Sequence, residues 1–320
     1  MRNILKKFEH INAKTVDEAV SALKQYEGKA KVIAGGTSQL DTMKRRILPD
    51  YPEALVNIKT IPGIDYIKEE GGILKIGALA LLEDIANDAI VKANYAALAE
   101  AAHKVGVVSL RNMGTIGGNI CQKVRCWYYR ASDNRFKCLR KNPAGVCQAL
   151  LGDNRYHSIF GAVNGCIAVN PSDIAPALVA LDAKVVTSKR TVGIEEFMTG
   201  DGKKTTILDD DELVTEIQVP EFSGKSAFLK FAVRKALAFS IVNCAAAISN
   251  GTARICINAV YNNPYRATAA EDVIAEQDIN EANAEAAGAA AVATVSALPM
   301  NEYKVQIAKT LVKRTILDCK

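Results

Sequence analysis

No stretch of the 320 residues is long and apolar enough to span a bilayer; the Ala-rich segment Ala286–Ala297 is interrupted and only weakly hydrophobic. The opening MRNILKKFEHINAK is basic but lacks the apolar run of a secretory signal. A cytoplasmic protein is therefore expected, with export alongside a signal-bearing partner left open. There is no internal repeat and no low-complexity linker. No GxGxxG opens a βαβ unit and no GxxxxGK[ST] occurs, which excludes nucleotide binding in the Rossmann or P-loop manner. No CxxC is present, so neither a zinc ribbon nor a bacterial ferredoxin run is matched. Excess charge is scarce too: 40 Lys and Arg against 35 Asp and Glu leave +5, too mild to point to nucleic acid.

What remains is a globular composition, 49% apolar and 23% charged, in a chain too long for one core; two or three packed units are expected. Thr15-Val-Asp-Glu18 forms a capping box ahead of Val16, Ala19, Val20 and Leu23 at helical spacing, which predicts a helix over 16–26. Lys31–Ala34 is a short buried strand leading into Gly35-Gly36-Thr37-Ser38 and a helical stretch to Arg46. Strands over 54–58, 64–68 and 73–77 follow, then helices over 81–88 and 90–104. Further on come a helix from Asp173, strands near 183–188, 191–195 and 213–219, and Pro220 as a boundary. The last hundred residues carry strands near 226–235, 240–248 and 253–261 and then three helical segments. Runs of strands followed by runs of helices favour an α+β chain over a regularly alternating parallel sheet.

A strand that delivers Gly-Gly-Thr-Ser to a helix start can cradle a phosphate. Glycines let backbone N–H groups approach an anion, hydroxyls add donors, and the helix end favours negative charge. Gly114-Thr-Ile-Gly-Gly-Asn119 has the same chemistry. Each loop alone is more often a plain turn, but two of them, about 80 residues apart, could hold a diphosphate between them.

Eight cysteines without an export signal read as metal, redox or buried thiols rather than disulfides. Cys121, Cys126, Cys138, Cys147 and Cys166 fall within 46 residues, whereas Cys244, Cys256 and Cys319 are scattered and read as buried or terminal thiols. From Cys126 the spacing is C-x11-C-x8-C-x18-C, which leaves iron–sulfur, zinc and unliganded thiols all open. Residues 121–157 hold eight basic residues (Lys123, Arg125, Arg130, Arg135, Lys137, Arg140, Lys141, Arg155) against Asp133 and Asp153, a local +6. Such charge stabilises thiolates and favours a reduced cluster or an acidic partner. Trp127, Tyr128, Tyr129, Phe136, Tyr156 and Phe160 lie in the same region and could wall a small site from water. The plain alternative is a basic surface loop with incidental cysteines, although irregular loops beyond about 12–15 residues are uncommon unless functional. His157 reads as structural rather than as a ligand.

Taken in order, KVIAGGTSQL, RNMGTIGGNIC, PSDIAPALVALDAKV, ELVTEIQVP and LKFAVRKALAFSIVNCAAAI resemble the FAD-binding subunit of the xanthine dehydrogenase (molybdenum hydroxylase) family nearly end to end. The resemblance implies an α+β fold: a two-part FAD-binding domain of the vanillyl-alcohol-oxidase/PCMH type over 1–220 and a C-terminal α+β domain over 221–320. Subdomains over about 1–60 and 61–220 make up the first part. In relatives without an extra segment, GGNIC passes almost directly into the SD-x-AP stretch; here about 45 residues intervene. This insertion, over 121–166, is similar to the one that binds a [4Fe-4S] cluster in the FAD subunits of 4-hydroxybenzoyl-CoA reductase and certain bacterial aldehyde oxidoreductases. It implies Cys126, Cys138, Cys147 and Cys166 as ligands and leaves Cys121, which relatives lacking the insertion also carry, to the flavin loop. The gap before Cys166 is longer than in the reductase and closer to the aldehyde-oxidoreductase type.

By the same resemblance, Ile33, Ala34, Gly35, Gly36, Thr37, Ser38 and Gln39 clamp the FAD diphosphate together with Thr115, Gly117, Gly118 and Asn119. Asp173 meets ribityl or ribose hydroxyls, Leu213 packs on the isoalloxazine, and Lys230 stands near the ring. Read locally, Asp173 is an N-cap, Leu213 a core leucine and Lys230 a solvated side chain. No residue is assigned a catalytic role and none binds molybdenum. The implied function is electron transfer by an FAD and [4Fe-4S] subunit, with a molybdopterin-binding large subunit and a [2Fe-2S] small subunit as partners, and no nucleic acid or membrane. The basic insertion suggests exchange with an acidic carrier such as a ferredoxin, through Arg130, Arg140 and Lys141. Two other classes compete. One is a zinc-stabilised module gripping nucleic acid; the other is a self-contained flavoprotein reductase like that acting on UDP-N-acetylenolpyruvoylglucosamine, which needs a substrate pocket with its own acid or base.

Overall fold

The computed structural model describes residues 5–320 and divides them among three sheets. The first unit contains β1 (Glu9–Asn12), α1 (Val16–Gln25), β2 (Ala30–Ile33), α2 (Gln39–Lys44) and β3 (Ala54–Asn57), with a parallel sheet in the order β1-β3-β2. Helix α1 begins at Thr15, whose Oγ1 accepts from the Glu18 N–H at 3.1 Å. The Glu18 carboxylate returns to the Lys14 N–H at 2.6 Å, one residue ahead of the donor a capping box uses. Strand β1 was invisible to the pattern because only Ile11 is partly buried; backbone pairing with β3 holds it, His10 opposite Leu55. This unit alternates strand and helix, unlike the chain as a whole.

The second unit runs through β4 (Ile67–Glu69), β5 (Ile73–Gly77), α3 (Leu82–Asn87), α4 (Ala89–Asn94), α5 (Ala96–His103), α6 (Val108–Arg111), α7 (Ile116–Ile120), α8 (Gln148–Leu151), α9 (Ile174–Ala180), β6 (Lys184–Thr187), β7 (Thr191–Gly193), α10 (Ile194–Phe197) and β8 (Val214–Pro220). Its sheet is antiparallel, in the order β4-β5-β8-β6-β7. The single helix expected over 90–104 is two. The chain leaves helical geometry at the buried Tyr95 (φ −131°, ψ 51°), and Ser226 Oγ from the third unit accepts the Ala97 N–H at the start of α5. Both causes are tertiary, so local periodicity could not show them.

The third unit has β9 (Lys225–Phe231), β10 (Val242–Ser249), β11 (Thr252–Asn258) and β12 (Tyr265–Arg266), then α11 (Thr268–Ile274), α12 (Glu281–Ala290) and α13 (Tyr303–Leu317). The sheet, ordered β12-β11-β10-β9, is antiparallel and covered on both faces. Ala245 and Ala247 of β10 pack into the core of the second unit, where α9 lies against the strand; Cys244 and Ala246 pack beneath α11–α13. Small residues on a strand sandwiched in this way let both layers approach closely. Cys244, Cys256 and Cys319 are buried thiols, as their scattered positions suggested.

Residues 121–169 contain no strand, only α8 and a single 3₁₀ turn at Ser132–Asn134. This segment wedges between the units. Arg130 Nη2 bonds Asp41 of α2 at 2.8 Å, Asn262 Nδ2 bonds the Cys166 carbonyl at 2.7 Å, and Lys304 of α13 bonds the His157 carbonyl at 2.8 Å. Among the described residues no helix is long and apolar enough to cross a membrane.

Candidate cofactor site

A cleft of about 460 Å³ opens where the three units meet. Ile33–Gln39, Thr115, Gly117, Gly118, Asn119, Asp173, Leu213 and Lys230 all line it, so the structure brings every residue of the flavin set to one surface. The two glycine loops touch. A Cβ on Gly35 would lie 1.8 Å from the Met113 carbonyl oxygen, and one on Gly117 would lie 3.0 Å from Ala78. Only glycine permits these approaches. Thr115 caps α7 by accepting the Gly118 N–H at 3.2 Å, and Asn119 Oδ1 accepts from Ser172 Oγ at 2.6 Å.

Asp173 is a buried hub rather than a cap. It makes no capping bond to α9; instead it accepts from Lys230 Nζ at 2.5 Å, Ser240 Oγ at 2.6 Å and Asn243 Nδ2 at 2.7 Å. The Lys230 side chain is 8% exposed, so the solvated reading fails for it as the N-cap reading fails for Asp173. Leu213 is a core leucine and a wall of the cleft at once, packed with Leu79 and Ile58. Next to it Glu212 is buried; burial pushes its carboxyl up, but bonds from Arg190 and Thr187 outweigh this and hold it low.

Sequence reasoning missed part of the wall. Leu237 and Phe239, on the loop between β9 and β10, close its outer side while remaining about half exposed (57% and 49%). Lys123 and Arg125 line its inner end. Both were counted into a basic block; nothing in that block's pattern shows which cations turn inward. Arg125 Nη2 bonds Ser38 Oγ at 3.2 Å and Gln122 Oε1 at 3.0 Å, and its guanidinium lies 4.7 Å from the Phe239 ring centre. Desolvation, together with Lys31, Arg130 and Arg140 nearby, holds the Lys123 ammonium down to about 8.

Of the four candidate ligands, Cys126, Cys138 and Cys166 share one packed group with Ile47, Val124, Tyr129 and Ala168. Cys147 stands outside it, half-buried at the start of α8. Its leg of the chain runs close to that of Cys138: Val146 N–H bonds the Lys137 carbonyl at 3.2 Å, and a Cβ on Gly145 would lie 2.6 Å from that oxygen. Cys121 lines the flavin-side cleft instead, where burial pushes its thiol up to about 12. Nitrogen groups face the sulfurs. His157 Nε2 lies 3.2 Å from Cys126 Sγ, while Arg140 Nη1 and the Ala168 N–H lie 3.5 and 3.4 Å from Cys166 Sγ. Among the described residues no three His, Cys, Asp or Glu side chains converge on a single-ion position. Three thiols around an apolar core, with nitrogen groups beside two of the sulfurs and the fourth thiol apart, offer donors of the kind an iron–sulfur cluster takes.

The cations expected to meet a carrier do not face outward. Arg130 is buried against Asp41, Arg140 binds Cys166, Asn262 and the Lys204 carbonyl, and Lys141 Nζ binds the Ile47 and Tyr129 carbonyls. Arg135, Lys137 and Arg155 are the exposed ones, Arg155 paired with Asp153.

Residues 6–222 match the profile of the FAD binding domain in molybdopterin dehydrogenase, and residues 227–319 that of the CO dehydrogenase flavoprotein C-terminal domain. The aldehyde oxidoreductase FAD-binding subunit PaoB of Escherichia coli (strain K12) is 31% identical over 99% of both chains. The nicotinate dehydrogenase FAD-subunit of Eubacterium barkeri is 29% identical over 79% of this chain and 72% of its own. Among solved structures, the carbon monoxide dehydrogenase from Hydrogenophaga pseudoflava that lacks the Mo-pyranopterin moiety of the molybdenum cofactor superposes with a TM-score of 0.76. It is 28% identical, with 99% of this chain and 98% of that one covered.

Proposed function

The chain belongs to the FAD-binding medium subunits of the xanthine dehydrogenase/CO dehydrogenase family, which makes it an oxidoreductase subunit, and from that premise we propose that it carries one FAD and one [4Fe-4S] cluster. In this reading it passes electrons between a [2Fe-2S] small subunit and an external carrier, while substrate chemistry takes place on a molybdopterin-binding large subunit. The observation that carries it is the arrival of both glycine loops, Asp173, Leu213 and Lys230 on one cleft. Bound there, FAD exchanges electrons singly or in pairs, the chemistry the protein itself cannot supply.

The rest falls to the chain's own groups. The N–H groups and hydroxyls of Gly35–Ser38 would bind the diphosphate, with Thr115–Asn119, whose N–H groups from Ile116 to Asn119 are taken up within the protein, forming the facing wall. Asp173, fixed by Ser240 and Asn243 and paired with Lys230, would orient sugar hydroxyls. Leu213, Leu237 and Phe239 exclude water. Cys126, Cys138, Cys147 and Cys166 would hold the cluster; the N–H groups on Cys126 and Cys166 would tune its potential. We divide the chain into an FAD-binding domain over 1–220 and a C-terminal domain over 221–320, because β8 ends at Pro220 and the next sheet starts at Lys225. An acidic carrier would meet the exposed Arg135 and Lys137.

The test is anaerobic purification with flavin, iron, sulfide and zinc measured on one sample. One FAD with about four irons and four sulfides per chain is expected. FAD without iron would reduce the cysteine segment to a docking element, and zinc without flavin would overturn the reading.

A further inference from the structure

Two cations of the cysteine-rich segment, Lys123 and Arg125, line the cleft, and the charges of Lys31, Arg130 and Arg140 act on Lys123 from beside it, against Asp210. Lys123 and Arg125 lack what their position demands. Arg125 Nε is buried with no acceptor, and Lys123, half-buried, has neither a hydrogen bond nor an ion pair among the described residues. A desolvated cation without a partner is costly in the folded chain unless an anion joins it. Both residues line the cleft shared with the two glycine loops, Lys123 at its border with the neighbouring cavity, and Arg125 touches Ser38 of the first loop.

We propose that Lys123 and Arg125, from the cysteine-rich segment, form the cationic half of the dinucleotide diphosphate site, so that diphosphate binding fixes the chain leading into Cys126. This rests on the flavin reading and goes beyond it. The first glycine loop supplies backbone donors; the segment supplies the charge. Arg125 directly precedes Cys126, and Val124 between the two cations is packed in the cysteine group. A diphosphate holding both cations therefore pins the first leg of the thiol site. The coupling is reciprocal: a fixed thiol site holds the two cations ready for the diphosphate.

The test compares ADP with adenosine as probes of the flavin-free full chain, since they differ only in the diphosphate. Wild-type protein should bind ADP more tightly than adenosine. Lys123→Gln with Arg125→Gln should cut that preference by about 10- to 100-fold, the scale of one or two charge-assisted bonds. ADP, but not adenosine, should slow hydrogen exchange across Val124–Tyr129 in the wild type and not in the double variant. Arg125→Lys should keep part of the preference. If the double variant fails to fold, Lys123→Gln alone, at a half-buried position, serves for both measurements. An unchanged ADP preference in a folded variant would overturn the proposal, as would slowed exchange with adenosine. If wild-type protein isolates without FAD, the flavin reading fails; if it isolates with FAD and the variants keep their preference, only this proposal fails.

Discussion

Replacing Gly35 by alanine tests whether the contact between the two glycine loops builds the flavin site. The backbone there is not left-handed, so the methyl group brings no conformational strain of its own. Its cost is steric. The new Cβ would stand 1.8 Å from the Met113 oxygen and 2.7 Å from the Met113 carbon, where approaches under 3.0 Å do not occur. From 1.8 to 3.0 Å the loops must part by at least 1.2 Å. The first carries the free N–H donors proposed to meet the diphosphate and the second backs it, and forced separations of this kind cost about 1–3 kcal/mol. If that distortion falls on the holo form, FAD should bind about 5- to 150-fold more weakly.

The control is Gly63→Ala. A Cβ there has no neighbour within 4 Å, but φ is +71°, so it should lower stability slightly through backbone strain and leave FAD affinity alone. Flavin-fluorescence titration of apo protein gives the affinities, and thermal unfolding shows that both variants fold. Gly35→Ala protein that binds FAD within about threefold of wild type at unchanged stability would refute the loop-contact argument.

Serine in place of Cys126, Cys138 or Cys166 should strip most iron and sulfide from anaerobically prepared protein, whereas Cys121→Ser should not; equal loss at Cys121 would redraw the ligand set. Asp173→Asn leaves Lys230 charged in a site where the pair is only 5% and 8% exposed. It should cost about 3–5 kcal/mol in denaturant unfolding, largely recovered by adding Lys230→Met. Lys304 is fully buried, and desolvation lowers its ammonium to about 7. Between that value and its unfolded pKa of about 10.4 the unfolded chain holds the extra proton. Stability should therefore rise with pH across this window, by up to about 1.4 kcal/mol per unit. The slope should vanish from the difference curve if Lys304→Met behaves like wild type, so unfolding free energies of both proteins at pH 6, 8 and 10 decide it. Arg135→Gln with Lys137→Gln should slow electron delivery to an acidic carrier at low salt and converge with wild type at high salt.

What the sequence made legible was whatever depends on the backbone or on one local face. The glycine loops could be read because close approach and N–H presentation need glycine itself. Most strands of the second and third sheets could be read because their apolar positions alternate or run on unbroken; the two-residue β12 was not, and β4 begins three residues later than expected. The break at Tyr95 depends on a serine 131 residues away, and β1 on pairing with β3. Side-chain direction in the irregular segment was the larger loss. No period of 2 or 3.6 applies there, so the eight cations looked alike until the fold separated Arg130, which turns onto Asp41, from Arg135, which does not.

That separation changes what the local +6 means. As a surface field it would steer a partner; most of it is instead directed inward, at a carboxylate, carbonyls, the Cys166 sulfur and an empty-handed stretch of cleft wall. In the proposed reading, cations arranged around thiols and a glycine-lined cleft are matched to negative charge that appears only with the cofactors: the chain's own cysteines as thiolates, and the phosphates of a dinucleotide. Without those anions the segment holds unneutralised charge between three units that it also ties together, through Asp41, Asn262 and Lys304. Cofactor binding then stabilises the junction by more than its own contacts, because it neutralises charges that the folded apo chain must otherwise keep out of water. On the proposed function, the segment is the part of the fold whose stability waits on its cofactors rather than a loop added to a finished domain.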